Sequence, residues 1–99
     1  MWISHALINH LLLQQPELKQ GLSKFTGRTV RLTALGIHTD MHIRDDGYVE
    51  AMSAEQTAEC HISIHASTWG KMLQGEAFGV GDVSITGDTD LAMQLLPVL

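Results

Sequence analysis

The sequence predicts an α+β fold, in which a five-stranded, mostly antiparallel sheet carries helices packed on one face. Three observations predict it. Apolar residues recur at helical spacing near both ends of the chain, whereas in the middle they alternate with polar residues. Glycine and aspartate separate the alternating segments where tight turns need them. Because each predicted strand has one apolar and one polar face, we expect the helices to cover only the apolar face.

Two helices are predicted at the start of the chain. The first runs from Trp2 to Gln15, and its apolar residues cover more of the circumference than the single stripe of a surface helix. Pro16 is expected to begin a second, shorter helix that runs to Gly27. The apolar residues of this second helix fall on one face, and they are Leu18, Leu22 and Phe25.

Five strands are predicted next, at residues 28–34, 37–44, 48–52, 60–66 and 83–86. Asp45-Asp46-Gly47 is typical of the hairpin turn between the second and third strands. After the fourth strand, Ser67 or Thr68 is expected to cap a short helix that bears Trp69 and ends at Gly75. The connection through this helix allows the fourth and fifth strands to run parallel, which would make the sheet mixed.

The last helix is predicted to begin directly after the fifth strand. Gly87 permits a tight turn, and residues 88–90 supply cap oxygens and negative charge to the helix N-terminus. Within residues 91–96 only Gln94 is polar, so apolar side chains cover more than one stripe of this helix. The surplus apolar surface needs a cover, which is the sheet, a bound apolar ligand or a partner chain.

Composition limits the classes of function. The 99 residues are expected to form a single domain, residues 1–99, with one core and little room for a large internal cavity. A net charge of −5 argues against nucleic-acid partners. The lone Cys60 excludes an internal disulfide and fits a reducing compartment. The first residues have the pattern of neither a signal peptide nor a transmembrane segment, so we expect a soluble cytoplasmic protein.

The histidines do not predict a metal site. His38 and His42, like His61 and His65, lie four residues apart on predicted strands, so the members of each pair are roughly 13 Å apart. One ion would need histidines from two neighbouring strands, with Asp40 nearby. Histidines on a polar sheet face are usually only solvated, and we therefore predict neither a metal nor another cofactor.

No catalytic residues are predicted either. Cys60 alternates with the polar side chains and is expected to point into the apolar side, while its neighbour His61 points the other way. The carboxylates at positions 45–46 and 88–90 stand where turns and helix caps need them. The sequence therefore indicates a protein that is not an enzyme.

Apolar side chains on the helices are the candidates for a lipid-binding wall. Each set by itself is typical of a core, but together they exceed what a chain of this length needs, and five methionines suit an adaptable apolar surface. From the residues alone, lipid binding and docking onto a second copy of the chain are equally supported. The predicted lipid-binding residues are Ile8, Leu12, Trp69, Met72, Leu73, Phe78, Leu91, Leu95 and Leu96.

Several segments together resemble the sterol carrier protein type 2 domain. They are FTGRTVRL at 25–32, DGYV at 46–49, CHISI at 60–64, STW at 67–69 and GDVSITGD at 81–88. The opening segments INHLL at 8–12 and PELK at 16–19 are more specifically similar to the amino-terminal half of the UbiJ-like accessory factors of bacterial ubiquinone biosynthesis. The resemblance spans nearly the whole chain and rests on hydrophobic residues and glycines.

The resemblance implies a lipid-carrier fold and a role without catalysis. By this resemblance the chain would be an accessory factor in bacterial ubiquinone biosynthesis that binds polyprenylated quinone intermediates or other lipids. It would present them to ubiquinone biosynthesis enzymes. The alternative is a docking or homodimerisation module that uses its apolar helices without a ligand. UbiJ-like factors also carry a helical carboxyl-terminal half that pairs with a coiled-coil partner, and that pairing is not transferred to residues 1–99.

Overall fold

The computed structural model describes residues 4–53, 55–76 and 80–98, except for the side chains of Met72, Leu73 and Val80. Within those residues the helices are α1 (His5–Leu13), α2 (Pro16–Leu22), α3 (Ala66–Leu73) and α4 (Thr89–Leu95). The strands are β1 (Thr29–Ala34), β2 (Ile37–Ile43), β3 (Val49–Ala51), β4 (Cys60–Ile64) and β5 (Val83–Gly87). Short 3-10 segments lie at Ser23–Phe25, Val80–Asp82 and Leu96–Val98.

The predicted α+β class and five-stranded sheet are confirmed. The strand order is β3-β2-β1-β4-β5, and three of the four neighbouring pairs are antiparallel. The parallel pair is β1 with β4, so the sheet is mixed. The predicted place of parallel pairing, between β4 and β5, was wrong. Ile64 at the end of β4 lies opposite Val83 at the start of β5, because the connection through α3 returns to the same end of the sheet.

The sheet has two distinct ends, defined here as the tip end and the cap end. At the tip end, β1 turns into β2 through Leu35 and Gly36, β4 ends and β5 begins. At the cap end, β2 turns towards β3, β4 begins, and Gly87 leads into α4. The two ends therefore differ in the turns and helices that follow the strands.

The helices lie on the apolar face of the sheet. α4 packs on β4 and β5 and against α2, while α1 packs against α2 and β3. Gly21, an unfavourable residue inside a helix, has a specific place here, since a Cβ atom on it would overlap the side-chain amide of Gln94 on α4. A side chain at position 21 would therefore displace the end of the Gln94 side chain.

Ser4 caps α1, and its hydroxyl accepts a hydrogen bond from the backbone N–H of Leu7 at 3.2 Å. The helix thus begins at His5 rather than in the region of Trp2, which lies outside the described residues. β4 ends two residues earlier than predicted, because α3 already begins at Ala66.

Asn9 on α1 holds the edge strand β3 by its backbone. Its side-chain Nδ2 donates to the carbonyl oxygen of Val49 at 2.9 Å, and its Oδ1 accepts from the N–H of Val49 at 2.8 Å. The side chain therefore satisfies both backbone groups that the outer edge of β3 would otherwise leave unpaired.

An Asn9→Ala substitution should lower the free energy of unfolding by about 2–3 kcal/mol, because two part-buried hydrogen bonds are lost and their backbone partners remain. Urea unfolding followed by circular dichroism measures the change. Asn9→Asp keeps the acceptor but places a carboxylate oxygen against the carbonyl oxygen of Val49, so it should lose at least as much stability as Asn9→Ala. If the free energy of unfolding of Asn9→Ala lay within about 0.5 kcal/mol of the parent's, the two Asn9 hydrogen bonds to Val49 would not stabilise the fold.

Candidate functional site

The candidate site is the apolar layer between the sheet and the helices. Its floor is formed by inward side chains of four strands, all at most 2% exposed: Val30, Leu32, Met41, Ile43, Val49 and Ile62. Among the described residues, the buried polar side chains of the fold are three threonines, and no charged side chain is buried. An apolar molecule in this layer would therefore meet no desolvated charge.

The structure brings together five of the predicted lipid-binding residues. Ile8 and Leu12 on α1 and Leu91 and Leu95 on α4 are fully buried in the same apolar cluster. Trp69 on α3 belongs to that cluster and is 9% exposed.

Of the four other predicted residues, only the side chain of Leu96 is among those that the structure describes. Leu96 is half-buried and packs against the same cluster. Phe78 and the side chains of Met72 and Leu73 lie outside the described residues, so their predicted role stays a prediction. Trp69 and Leu96 are thus the described wall residues that remain partly accessible.

Trp69 is positioned by polar contacts of α3 that the sequence did not reveal. The hydroxyl of the buried Thr68 donates to the backbone oxygen of Asp82 at 2.6 Å. Lys71 forms an ion pair with the Asp82 carboxylate at 3.0 Å. The prediction that Thr68 or Ser67 caps the helix was wrong, since both lie inside it. Thr68 instead ties α3 to the segment that leads into β5.

The opposite, polar face of the sheet separates the histidines. β1 lies between β2 and β4, so histidines on β2 and β4 are not on neighbouring strands. Arg31 on β1 stands opposite Asp40 on one side and opposite His61 on the other. Within the described residues, no group of three or more histidine, cysteine, aspartate or glutamate side chains is placed to hold a metal ion.

Arg31 also neutralises the carboxylate of that face. Its Nε and Nη2 atoms donate to the two oxygens of Asp40 at 2.8 and 3.1 Å. This hydrogen bonding holds the pKa of Asp40 below its usual value, although partial burial opposes the effect, and it raises the pKa of Arg31. Asp40 is therefore an anion committed to a structural ion pair, and it is a poor candidate for a general base.

Cys60 points into the apolar layer, as the alternation predicted, and is fully buried. Burial, assisted by the nearby Asp88 carboxylate, raises the pKa of the Cys60 thiol to about 11. A thiol that stays protonated at neutral pH lacks the thiolate that nucleophilic catalysis needs.

The buried thiol predicts a specific alkaline loss of stability. Because the pKa in the folded chain lies above the ordinary value of 9.0, the unfolded chain ionises first, and stability falls as the pH rises from about 9 to 11. The difference in free energy of unfolding between the parent and Cys60→Ala should therefore change across that interval and be constant below about pH 8. A difference that stays constant through the whole interval would contradict the burial. At neutral pH, Ellman's reagent should react with Cys60 only after unfolding.

The surface clefts formed by described residues include the following three. One of about 360 Å³ is lined by Ala6, Asn9, His10, Leu13, Arg44 and Tyr48. The others, of about 530 and 320 Å³, lie beside the β2–β3 turn and at the start of α2. None of the three is lined by a predicted lipid-binding residue.

Comparison with known proteins identifies the family and the fold. Residues 8–99 match the SCP-2 sterol transfer family. Among solved structures, the "UbiJ-SCP2 Ubiquinone synthesis protein" is similar with a TM-score of 0.65 and 18% identity, over 95% of this chain and 83% of that one. None of the curated proteins matches the chain.

Two further structures share the fold. The apo form of sterol carrier protein 2 from Yarrowia lipolytica has a TM-score of 0.52 at 16% identity, over 95% of this chain and 84% of that one. A conserved hypothetical protein from Thermus thermophilus has a TM-score of 0.57 at 15% identity, over 99% and 87% of the respective chains. In the described part of the chain, none of the helices has the length and apolarity required to span a membrane.

Proposed function

The chain belongs to the SCP-2 sterol transfer family, and we propose that it is a non-enzymatic, lipid-binding accessory factor of ubiquinone biosynthesis. The observation that carries the proposal is the apolar layer between sheet and helices, in which the described residues bury no charge. The similarity to a ubiquinone synthesis protein of the same fold supports the pathway. The ligand class we propose is a polyprenylated quinone intermediate.

The isoprenoid tail would lie between the sheet and the inward faces of α3 and α4. Trp69 and Leu96 would contact it first, since they are the described wall residues that keep some exposure. Burial of about 200 Å² of tail would contribute roughly 5 kcal/mol before the losses of motion on binding. Affinity would thus come from the tail, and chemistry on the ring would be left to ubiquinone biosynthesis enzymes that act as partners.

The states of Cys60 and Asp40 are compatible with a carrier role. Cys60 is protonated at neutral pH, and Asp40 is bound to Arg31 on the other face of the sheet. A carrier needs only to bind and release its ligand, and it makes no demand for charged groups inside the apolar layer.

Binding can be tested through the fluorescence of Trp69. In a Trp2→Phe background, Trp69 is the single tryptophan, and titration with a short-chain ubiquinone should quench it saturably. Farnesol should compete, because the tail supplies the affinity. Leu96→Gln should weaken binding about fivefold or more, whereas Met93→Gln, on the exposed side of α4, should not. No saturable quenching by the quinone would refute the lipid-binding proposal.

The alternative is a module that docks onto another chain, which is supported by four large apolar side chains that are about half or more exposed: Leu13, Leu35, Ile37 and Met93. Analytical ultracentrifugation separates the two proposals. A stable dimer that takes up no quinone would favour docking. A monomer that binds the quinone would favour the carrier.

A further inference from the structure

The exposure of the apolar face changes along the three inner strands of the sheet, β2, β1 and β4. At the cap end their inward side chains are completely buried, and these are Ile43, Val30 and Cys60. Towards the tip end the exposure rises on each strand, to 54% at Ile37 on β2, 3% at Ala34 on β1 and 6% at Ile64 on β4. The apolar face therefore reaches solvent at the tip end, chiefly at Ile37.

The last apolar side chains at the tip end form one row across four strands. Ala34 pairs with Ile37 of β2 on one side and with Ile64 of β4 on the other. Ile64 in turn lies opposite Val83, the first residue of β5. Because side chains of paired residues stand on the same face of a sheet, these four residues form a continuous apolar row, which we call the mouth row. Ile37 is its exposed end, and the other three members belong to the buried apolar cluster.

Trp69 lies at the same end of the layer. α3 begins two residues after Ile64. The backbone N–H of Trp69 donates to the carbonyl oxygen of His65 at 3.0 Å, which places Trp69 in the first turn of that helix. Its exposure of 9% is the largest among the buried residues of the apolar cluster. A proposed wall residue and the mouth row are therefore both found where the apolar layer reaches solvent.

The chemistry of this end favours an uncharged, apolar ligand. Residues 33–38 and 63–69 contain no aspartate, glutamate, lysine or arginine. On the adjoining segments, Lys71 and Asp82 are paired with each other at 3.0 Å. An apolar tail that enters along the mouth row would therefore desolvate no charge on the two segments, while its contact with Ile37 would remove apolar area of both partners from water.

The turn before Ile37 adds a second exposed apolar side chain beside the mouth row. Leu35 is 56% exposed, and its φ is 52°, followed by 78° at Gly36. Two-residue hairpin turns with positive φ at both positions favour asparagine or aspartate at the first, because these residues tolerate that conformation better than leucine does. Leu35 therefore costs stability where it stands, and it enlarges the apolar surface at the tip end.

We infer that the mouth row is the entrance of the proposed lipid site and that Ile37 is a further ligand-contact residue. The inference rests on the proposed function, since it names where the isoprenoid tail enters the layer. The row is continuous with the buried apolar cluster, so a tail that covers Ile37 and extends inward stays in contact with apolar side chains. The ring remains at the tip end, because the inward residues of the inner strands are sealed at the cap end.

A fluorescent label can locate the bound quinone. Cys60 is fully buried, so at neutral pH a bimane reagent should label only the new thiol of an Ile37→Cys variant. Short-chain ubiquinone should quench this label saturably, over the same concentrations that quench Trp69. Leu13→Cys is the matched control, because Leu13 is 65% exposed on α1 and lines a surface cleft with Arg44. Its label should show only the linear quenching of free collisions.

Ile37→Thr tests the contribution of the contact to affinity. Threonine keeps a β-branched residue in β2 but removes apolar area, so the variant should bind the quinone about fivefold more weakly. Leu13→Gln should bind it as tightly as the parent. Leu35→Asn relieves the strain at positive φ, so it should melt at a higher temperature than the parent and still bind the quinone more weakly.

Two results would overturn the inference while the carrier proposal stands. One is saturable quenching of Trp69 with no saturable quenching of the label at position 37, and the other is equal affinity of the parent and Ile37→Thr for the quinone. A parent dimer that Ile37→Thr converts to a monomer would also overturn it, since Ile37 would then be a contact between two copies. Absence of saturable quenching at both Trp69 and the label would instead refute the carrier proposal, and the entrance with it.

Discussion

A Gly87→Ala substitution should lower the free energy of unfolding by about 3 kcal/mol or more, a large fraction of the stability of a small domain. Gly87 has φ of 85°, which strains any residue with a Cβ atom. A Cβ atom here would also overlap the backbone carbonyl oxygen of Glu59, which accepts a hydrogen bond from Asp88 N–H at 2.9 Å. Relief would require β4 and β5 to separate.

Gly27→Ala is the control for that variant. Gly27 has nearly the same φ, 84°, but no described heavy atom beyond its chain neighbours lies within 4 Å of the position its Cβ atom would take. Its substitution should therefore lose only the conformational part, about 1–2 kcal/mol. Urea unfolding of both variants gives the comparison, and equal losses would show that the contact with Glu59 is unimportant.

The reason for the large effect is the position of Gly87 at the start of α4. The next residue, Asp88, caps the helix by accepting from Leu91 N–H at 3.2 Å, and its carboxylate also lies 3.3 Å from Arg28. A displaced Gly87 would disturb the turn, the cap and the ion pair at once. The strand-to-helix turn therefore fixes the direction in which α4 crosses the sheet.

A Leu95→Ala substitution should lower the free energy of unfolding by about 2–5 kcal/mol. Leu95 is fully buried in the apolar cluster beneath α4, so removal of its side chain leaves a cavity that the sheet cannot close. Met93→Ala is the control on the same helix, because Met93 is 49% exposed and its loss should stay within about 0.5 kcal/mol. If Leu95→Ala and Met93→Ala lost similar amounts of stability, the assignment of Leu95 to the buried face of α4 would be wrong.

Leu95→Asp is unsuitable as a test of lipid binding. A carboxylate at a fully buried position would be expected to unfold the domain, so lost binding would say nothing about the wall. Substitutions at the half-buried Leu96 or at Trp69 test the ligand contact with less damage to the core.

The sheet was predictable because its physical signal is local. Alternation at Val30, Leu32 and Ala34, and again at Cys60 and Ile62, sets the buried face of β1 and β4 without reference to other residues. The strand order was not predictable in the same way. Which strands become neighbours depends on how α3 and the long loop after β3 fold back, and no local pattern encodes the parallel pairing of β1 with β4.

The candidate site was predictable only as a set of apolar residues. Helical spacing identified the inward positions on α1 and α4, which are buried together. Contacts between distant polar groups were missed, including Asn9 with the β3 backbone and Thr68 with Asp82, because side-chain hydrogen bonds leave no periodic signal. Threonine is a residue type that commonly caps helices, so the sequence suggested that role for Thr68. Only the tertiary structure shows that its hydroxyl bonds to the backbone oxygen of Asp82.

Leu35 illustrates a different kind of omission. As one apolar residue beside a glycine it is inconspicuous in the sequence, and its significance depends on the positive φ and the exposure that the folded hairpin gives it. A conflict between residue type and backbone conformation is visible only once the turn is built.

The most direct test of the carrier proposal is organic extraction of the protein after purification from a ubiquinone-producing bacterium, followed by mass spectrometry of the extract. The account predicts a polyprenylated phenol or quinone in near-stoichiometric amount. Phospholipid or fatty acid alone would contradict the assignment to ubiquinone biosynthesis while leaving lipid binding in place. A protein that carries no lipid and takes up no added quinone would contradict the carrier proposal itself.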